Sequence, residues 1–257
     1  MRKITVLLAL LILAQICYSN DNENKVKNVE VTYIANEGFL IKVNDKQILI
    51  DALFGNEEYE WCDIPNKETM NLILKNEGEF KNTDLIATTH AHRDHFYPPF
   101  VTEHLENNTN GRFISCKQSV DKLKKLDKYD KVKNQIVEIT PDNLTYIDTT
   151  INSIGIRIYR ISHGPYYIDN PETGDKVDKH RDIQNIGFLF NIEGVKIFHS
   201  GDSNEYGFAE YEHFRLDKEN IDIAFLDMGF MWKSDCKGIE ILKNYIKAKH
   251  IVIMHLH

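Results

Sequence analysis

Cysteine is scarce in this 257-residue chain, and the four that occur (Cys17, Cys62, Cys116 and Cys236) lie far apart. That spacing argues against a disulfide framework, although it leaves room for a single bridge. Runs of lysine and arginine are missing, and the formal net charge is −8. A protein that holds a phosphate backbone needs the opposite balance, so no nucleic-acid partner is expected. No short-period repeat or low-complexity linker interrupts the sequence, and the length fits a single α/β domain. An apolar run at residues 4–16 follows Arg2 and Lys3 and precedes polar Ser19, Asn20, Asp21 and Asn22. It is short for a membrane span and has the make-up of a secretory signal. Residues 1–19 are therefore expected to be a cleaved export signal and residues 20–257 the working domain. The mature chain would carry no stable membrane span and would be periplasmic or secreted. Cys17 raises a lipoprotein anchor as the alternative, against which stands the bulky Ile16 where such signals carry a small residue.

What the sequence does have is concentrated after the apolar run 84–87: Thr88-Thr89-His90-Ala91-His92-Arg93-Asp94-His95. Side chains at i and i+2 of an extended segment point the same way, so His90 and His92 can face one ion together. Asp94 and His95 follow where the chain should turn and can face a second ion. Imidazole and carboxylate are ordinary zinc ligands, and no thiolate is present to close the site. The spacing is not the i, i+4 pair of a helical H-E-x-x-H motif. An isolated strand-end histidine is commonplace; four ligand-type residues in this pattern are not.

Alternating patterns predict strands over 29–35, 38–43 and 47–51, the last two joined at Asn44-Asp45 and the third ending at Asp51. An acid there can orient a ligand histidine. Helices are expected over 67–75, 99–105 and 119–126, with strands at 112–115 and 135–140. Further strands are expected over 144–148, 151–162, 185–192, 195–199, 221–227 and 250–254, with helical segments at 205–214 and 238–247. Ile154, Ile156 and Ile158 share one face. The coarse pattern is strands then helix, twice over, which suggests two packed sheets flanked by helices. Three more strand ends offer ligand types: His163, Asp202 after His199-Ser200-Gly201, and His255 before Leu256-His257.

Asp51, the His90-x-His92-x-Asp94-His95 cluster, His163, Asp202 and His255 fall in the order of the five motifs of the metallo-β-lactamase fold superfamily. The resemblance runs from about Val29 to the C-terminus. Ile-Phe-His-Ser-Gly-Asp-Ser and Ile-Val-Ile-Met-His look like the branch containing ascorbate-phosphate lactonase and related metal-dependent hydrolases. The resemblance implies an α/β fold, an αββα sandwich of two mostly antiparallel sheets with the site at one edge. It implies that His90, His92 and His163 hold one metal, that Asp94, His95 and His255 hold a second, and that Asp202 bridges them. Zinc is the default for both, with manganese or iron able to occupy similar sites. Asp51 and His199 would stand behind the ligands. His180, in the polar insertion 165–184, reads as a surface-loop residue. Family members usually continue past the last ligand, while this sequence stops at His257. A shortened C-terminal end is thus an alternative to a complete domain, and His257, two residues on, is the alternative to His255.

Two such ions would turn a bridging water into hydroxide near neutral pH, and Asp94 would orient it and accept its proton. The expected function is hydrolysis of an ester, lactone or phosphodiester bond in a small molecule. An aspartate at the bridging position disfavours penicillin hydrolysis, since the antibiotic-degrading lactamases place cysteine there. The insertion 165–184 could form a lid; Tyr97, Tyr166, Tyr167, Met231 and Trp232 are candidate pocket walls. Two alternatives share the scaffold: an iron-dependent oxidoreductase of the sulfur dioxygenase type, and a non-catalytic metal- or ligand-binding protein. N-terminal sequencing of the protein recovered from its cells should show a first residue close after position 19; a mature chain that keeps residues 1–19 contradicts the export reading.

Overall fold

The computed structural model describes residues 28–232 and 236–256. The expected signal segment, Cys17 and the alternative ligand His257 lie outside the described residues. The chain opens with β1 (Val29–Ala35), β2 (Gly38–Val43) and β3 (Lys46–Ile50), followed by helix α1 (Lys67–Lys75). Next come β4 (Leu85–Thr88), α2 (Pro98–Asn107), β5 (Arg112–Ser115), α3 (Lys117–Leu123), α4 (Tyr129–Val132) and β6 (Ile136–Glu138). These six strands form one sheet in chain order. The second half begins with β7 (Tyr146–Ile151) and β8 (Ile154–Arg160), and a separate ribbon pairs β9 (Tyr167–Asp169) with β10 (Lys176–Asp178). It continues through β11 (Ile186–Ile192), β12 (Val195–His199), α5 (Phe208–Phe214), β13 (Ile223–Asp227) and α6 (Gly229–Trp232). Last are α7 (Lys237–Ile241), which widens into a π-helical turn at Leu242–Ile246, and β14 (His250–Met254). The second large sheet has the order β14-β13-β12-β11-β8-β7.

Period-two patterning sorts the strands into layers. Ile41, Ile48, Ile50 and Ala87 pack from the first sheet against Ile154, Ile156, Ile158, Phe188 and Phe190 of the second. The opposite faces carry Leu40, Leu49, Ile86 and Phe113, which bury Met70, Ile73, Val101, Leu105, Val120 and Leu123 of α1 to α3. On the other side Tyr159, Leu189, Phe198 and Leu226 bury Tyr211, Ile241, Leu242 and Ile246. The result is the αββα sandwich that the sequence implies.

The sheets are mixed rather than mostly antiparallel. Among the described residues five neighbouring pairs in the two large sheets are antiparallel and five are parallel. The cause is the helix that separates β3 from β4, β4 from β5, β5 from β6, β12 from β13 and β13 from β14. A helical crossover returns the chain to the same end of the sheet and makes the next strand parallel. Those strands therefore deliver their C-terminal ends, with Asp51, His90, Asp202, Asp227 and His255, to one edge.

The strand expected over 151–162 is broken at its start. β7 runs on to Ile151, and Asn152 and Ser153 turn with φ of 49° and 67° before β8 begins. Two consecutive positive φ values make a tight hairpin, here without the usual glycine. The insertion 165–184 holds the short β9–β10 ribbon, too brief for its alternation to stand out.

His104 joins two of the outer helices. Its Nδ1–H donates to the Ile73 carbonyl at 2.6 Å, and Asn108 Nδ2 lies 3.3 Å from its Nε2. Burial holds the ring neutral and lowers its pKa from 6.5 to about 4. The unfolded chain takes up this proton below pH 6.5 while the folded chain does not, so stability falls as pH drops from 6.5 towards 4. Urea unfolding of the metal-free chain at pH 7 and pH 4.5 should show His104→Gln losing about 2–3 kcal/mol less over this interval than wild type. An identical loss in both proteins contradicts the assignment.

Candidate metal centre

The centre is built from strand ends whose local hydrogen bonds fix each ring. Asp51 follows β3 with φ of 44°, and its carboxylate is fully buried. It accepts from Thr89 N at 2.8 Å and from Thr89 Oγ1 at 2.6 Å, and lies 3.1 Å from His95 Nδ1. The Thr89 hydroxyl gives its proton to Asp51, so it accepts from His90 Nδ1, 3.1 Å away. His163 Nδ1 donates to the Gly164 carbonyl at 2.7 Å, and His255 Nδ1 lies 3.0 Å from Asp227 Oδ2. With Nδ1 occupied outside the centre, these four histidines direct Nε2 inward, the arrangement carboxylates and carbonyls impose on metal-ligating imidazoles. His92 instead presents Nδ1, 3.2 Å from His163 Nε2.

The inward atoms form two sets. His90, His92, His163 and Asp202 offer ligand atoms within 4.8 Å of one another, and so do Asp94, His95 and His255. Asp202 stands between them: Oδ2 is 3.1 Å from His163 Nε2 and 3.7 Å from His90 Nε2, while Oδ1 is 3.1 Å from His95 Nε2. Asp94 Oδ2 is 3.4 Å from His95 Nε2 and 3.5 Å from His255 Nε2. His90 Nε2, His95 Nε2 and Asp202 Oδ1 are buried without a hydrogen bond. Orphaned buried atoms of this kind need a compensating partner, and nitrogen and carboxylate oxygen around a shared point suit a divalent cation. The donor sets fit two ions joined by one carboxylate.

Protons take the place of cations when the centre is empty of metal. Burial penalises a charged His95, yet Asp202 and Asp94 outweigh it and raise its pKa well above the ordinary value. Burial likewise opposes a charged His255, but Asp202 and the bond to Asp227 push it up to about 12. In the first set burial and His163 lower His92 to about 4, and burial with His95 lowers His90 well below the histidine range. His90 and His92 are thus already deprotonated for a metal at neutral pH.

Gly201 sets the bridging residue. Its φ is +54°, and a Cβ there would come within 2.3 Å of Asn185 Oδ1 and 2.8 Å of Thr89 Cβ. Only glycine turns the chain this tightly against the strand end that carries the histidine cluster.

Residues 30–255 match the β-lactamase superfamily domain. The chain belongs to that family. A metal-dependent hydrolase of Pyrococcus furiosus is 26% identical over 239 residues, an overlap of 88% of this chain and 84% of that protein. Among solved structures the fold is similar to Igni18, a metallo hydrolase of Ignicoccus hospitalis, with a TM-score of 0.59 and 20% identity over 89% of this chain and 83% of that one. It is also similar to CmlA, a diiron β-hydroxylase of Streptomyces venezuelae, with a TM-score of 0.53 and 12% identity over 90% of this chain and 45% of that one.

In this β-lactamase superfamily domain a cavity of about 360 Å³ opens over the centre, lined by His163, His180, Asp202 and His255 and walled by Tyr166, Tyr206, Met228 and Trp232. Tyr97 does not line it, because it caps α2 and packs edge-on against Phe100. Tyr167 is exposed on the ribbon, and the cavity wall is Met228 rather than Met231. His180 is not a surface-loop residue. Its ring lies 4.2 Å from that of His163 and 4.9 Å from that of His92, and its Nδ1 is 3.0 Å from the Gly164 carbonyl. Asp178 Oδ1 accepts from both Tyr166 N and His180 N at 2.9 Å, which fastens the ribbon's base to the cavity.

His199 is fully buried, accepts from Gly201 N at 3.1 Å and so donates from Nε2 to the Glu37 carbonyl at 3.3 Å. Asp227, Asn36 and Glu37 escaped the sequence reading. Asp227 ends an apolar strand as Asp51 does, a signal that was available; Asn36 and Glu37 look like plain turn residues between β1 and β2. Asp51→Asn keeps the shape but removes one acceptor from Thr89 and His95. It should weaken binding of the second ion by about 10–100-fold in a metal titration; unchanged affinity contradicts the orienting role.

Proposed function

We propose that this chain is a dinuclear metal-dependent hydrolase that cleaves an ester, lactone or phosphodiester bond in a small molecule. The observation that carries the proposal is Asp202, whose two oxygens face two separate histidine-rich donor sets. His90, His92 and His163 would hold one ion; Asp94, His95 and His255 the other. When bound, such a pair supplies an acidified water and Lewis-acid polarisation of a carbonyl or phosphoryl oxygen.

The chain's own residues supply position and hydrogen bonding. Asn36 Nδ2 donates to Asp94 Oδ2 at 3.2 Å and to the Asp94 carbonyl at 3.3 Å, so the carboxylate is held beside His95 and His255. Burial works against its charge, but His95 and hydrogen bonds from His255 and His95 keep Asp94 ionised far below the usual carboxylate range. An ionised, oriented carboxylate can accept a hydrogen bond from the attacking water and align it. Tyr166, Tyr206 and Trp232 offer apolar area to the organic part of the substrate. No serine or cysteine nucleophile is required. Zinc suits the nitrogen-rich set, and the names of similar proteins (a metallo hydrolase and a metal-dependent hydrolase) agree with hydrolysis.

The test is a screen of lactones, carboxylic esters and phosphodiesters with metal-loaded protein. At least one class should be turned over, activity should vanish on chelation, and Asp94→Asn should lower kcat/KM by about 10²–10⁴-fold with the fold intact. Hydrolysis that survives chelation, or full activity in Asp94→Asn, contradicts the proposal.

A further inference from the structure

Glu37 stands out among the buried groups for which the proposed chemistry has no use. It sits in the two-residue turn between β1 and β2 and has no exposed surface. Both carboxylate oxygens lack a hydrogen-bond partner. The donors around it are committed elsewhere. His95 Nδ1 is 3.1 Å from Asp51 Oδ2 but 3.7 Å from Glu37 Oε2. His199 Nε2 donates to the backbone carbonyl of Glu37, not to its side chain. A carboxylate in this state is untenable in a protein interior unless it is neutralised or faces a cation.

The position of Glu37 indicates which cation. Glu37, Asp202, Asp227 and His255 offer ligand atoms within 4.8 Å of one another, and so do Glu37, Asp51 and His199, but Asp51 is engaged by Thr89 and His95, and both nitrogens of His199 by Gly201 N and the Glu37 carbonyl. Asp227 already uses both oxygens, one 3.0 Å from His255 Nδ1 and the other accepting from Gly229 N at 2.6 Å. That leaves Glu37 facing the bridging carboxylate and the last ligand histidine. We propose that Glu37 is a further ligand of the second ion, which makes that position oxygen-rich and selective for a harder cation than zinc. This rests on the dinuclear reading above. Glu37 shares Asp202 and His255 with the second set; added to Asp94 and His95 it would give that ion three carboxylates and two imidazoles, which suit the higher coordination of manganese or ferrous iron, whereas three imidazoles and one carboxylate suit tetrahedral zinc. The centre is then unlike at its two ends, with zinc in the first set and the harder ion in the second.

The experiment reconstitutes the chelated chain with zinc and manganese together and counts each metal by plasma mass spectrometry, with manganese electron paramagnetic resonance as the second readout. Wild type should hold one zinc and one manganese. Glu37→Gln, isosteric and still able to hydrogen-bond as a neutral acid would, should keep the zinc and bind manganese at least about 10-fold more weakly. Its metal-free form should melt higher than metal-free wild type, because the uncompensated acid is gone. Manganese binding equal to wild type overturns the proposal and makes Glu37 a neutral hydrogen-bonding group. Wild type that binds neither metal overturns the dinuclear reading itself, a result separable from the failure of Glu37. Should Glu37→Gln not fold, Glu37→Asp replaces it: the retracted carboxylate should weaken manganese and spare zinc, and equal affinity overturns the proposal.

Discussion

Charge compensation in a buried space is the constraint on which the rest of this molecule depends. His90, His95 and Asp202 are turned towards one another out of water, and His90 Nε2, His95 Nε2 and Asp202 Oδ1 find no hydrogen-bond partner. Such a group of donors and acids is costly in a protein interior without a counter-charge. Protons shared among His95, His255 and the aspartates can stand in, and two metal ions fit the same atoms. The scaffold is arranged to hold that strain in place: buried Asp51 and Thr89 fix two rings, Asp227 fixes a third and the Gly164 carbonyl a fourth.

The layers explain how one edge collects so many ligands. Helical crossovers make one half of each sheet parallel, β3 to β6 in the first and β12 to β14 in the second, so their C-terminal ends converge. Each face of each sheet packs against its own apolar layer, so a slip of one residue would exchange the side chains of the inter-sheet and helix-facing layers and spoil the fit of both. The ligand residues inherit that precision. The ribbon of β9 and β10 is fixed less firmly, through Asp178 and His180, and it walls the cavity rather than supporting the ligands.

Much of this could be read from the residues, and the parts that could not have physical reasons. The His90–His95 cluster was legible because a strand end with period-two spacing shows its geometry directly. His163, Asp202 and His255 are each ordinary strand-end residues, and they gained meaning only as a set in the order of a known family. The parallel pairing was implied by the helices between strands but was not drawn from them. The Asn152–Ser153 turn lacks the glycine that marks most tight hairpins. Glu37 and His180 were invisible for a further reason: turns and polar insertions look solvated, and only the folded chain shows that both point inward.

The central claim is that two ions occupy this centre, bridged by Asp202. Plasma mass spectrometry of the purified chain, as isolated and after reconstitution, tests it most directly. The account predicts two divalent ions per chain, both reduced in Asp202→Ala, with no spectroscopic sign of an oxygen-activating iron. A single iron per chain with no second metal beside it would point to an oxidoreductase, and no bound metal after reconstitution would contradict the account outright.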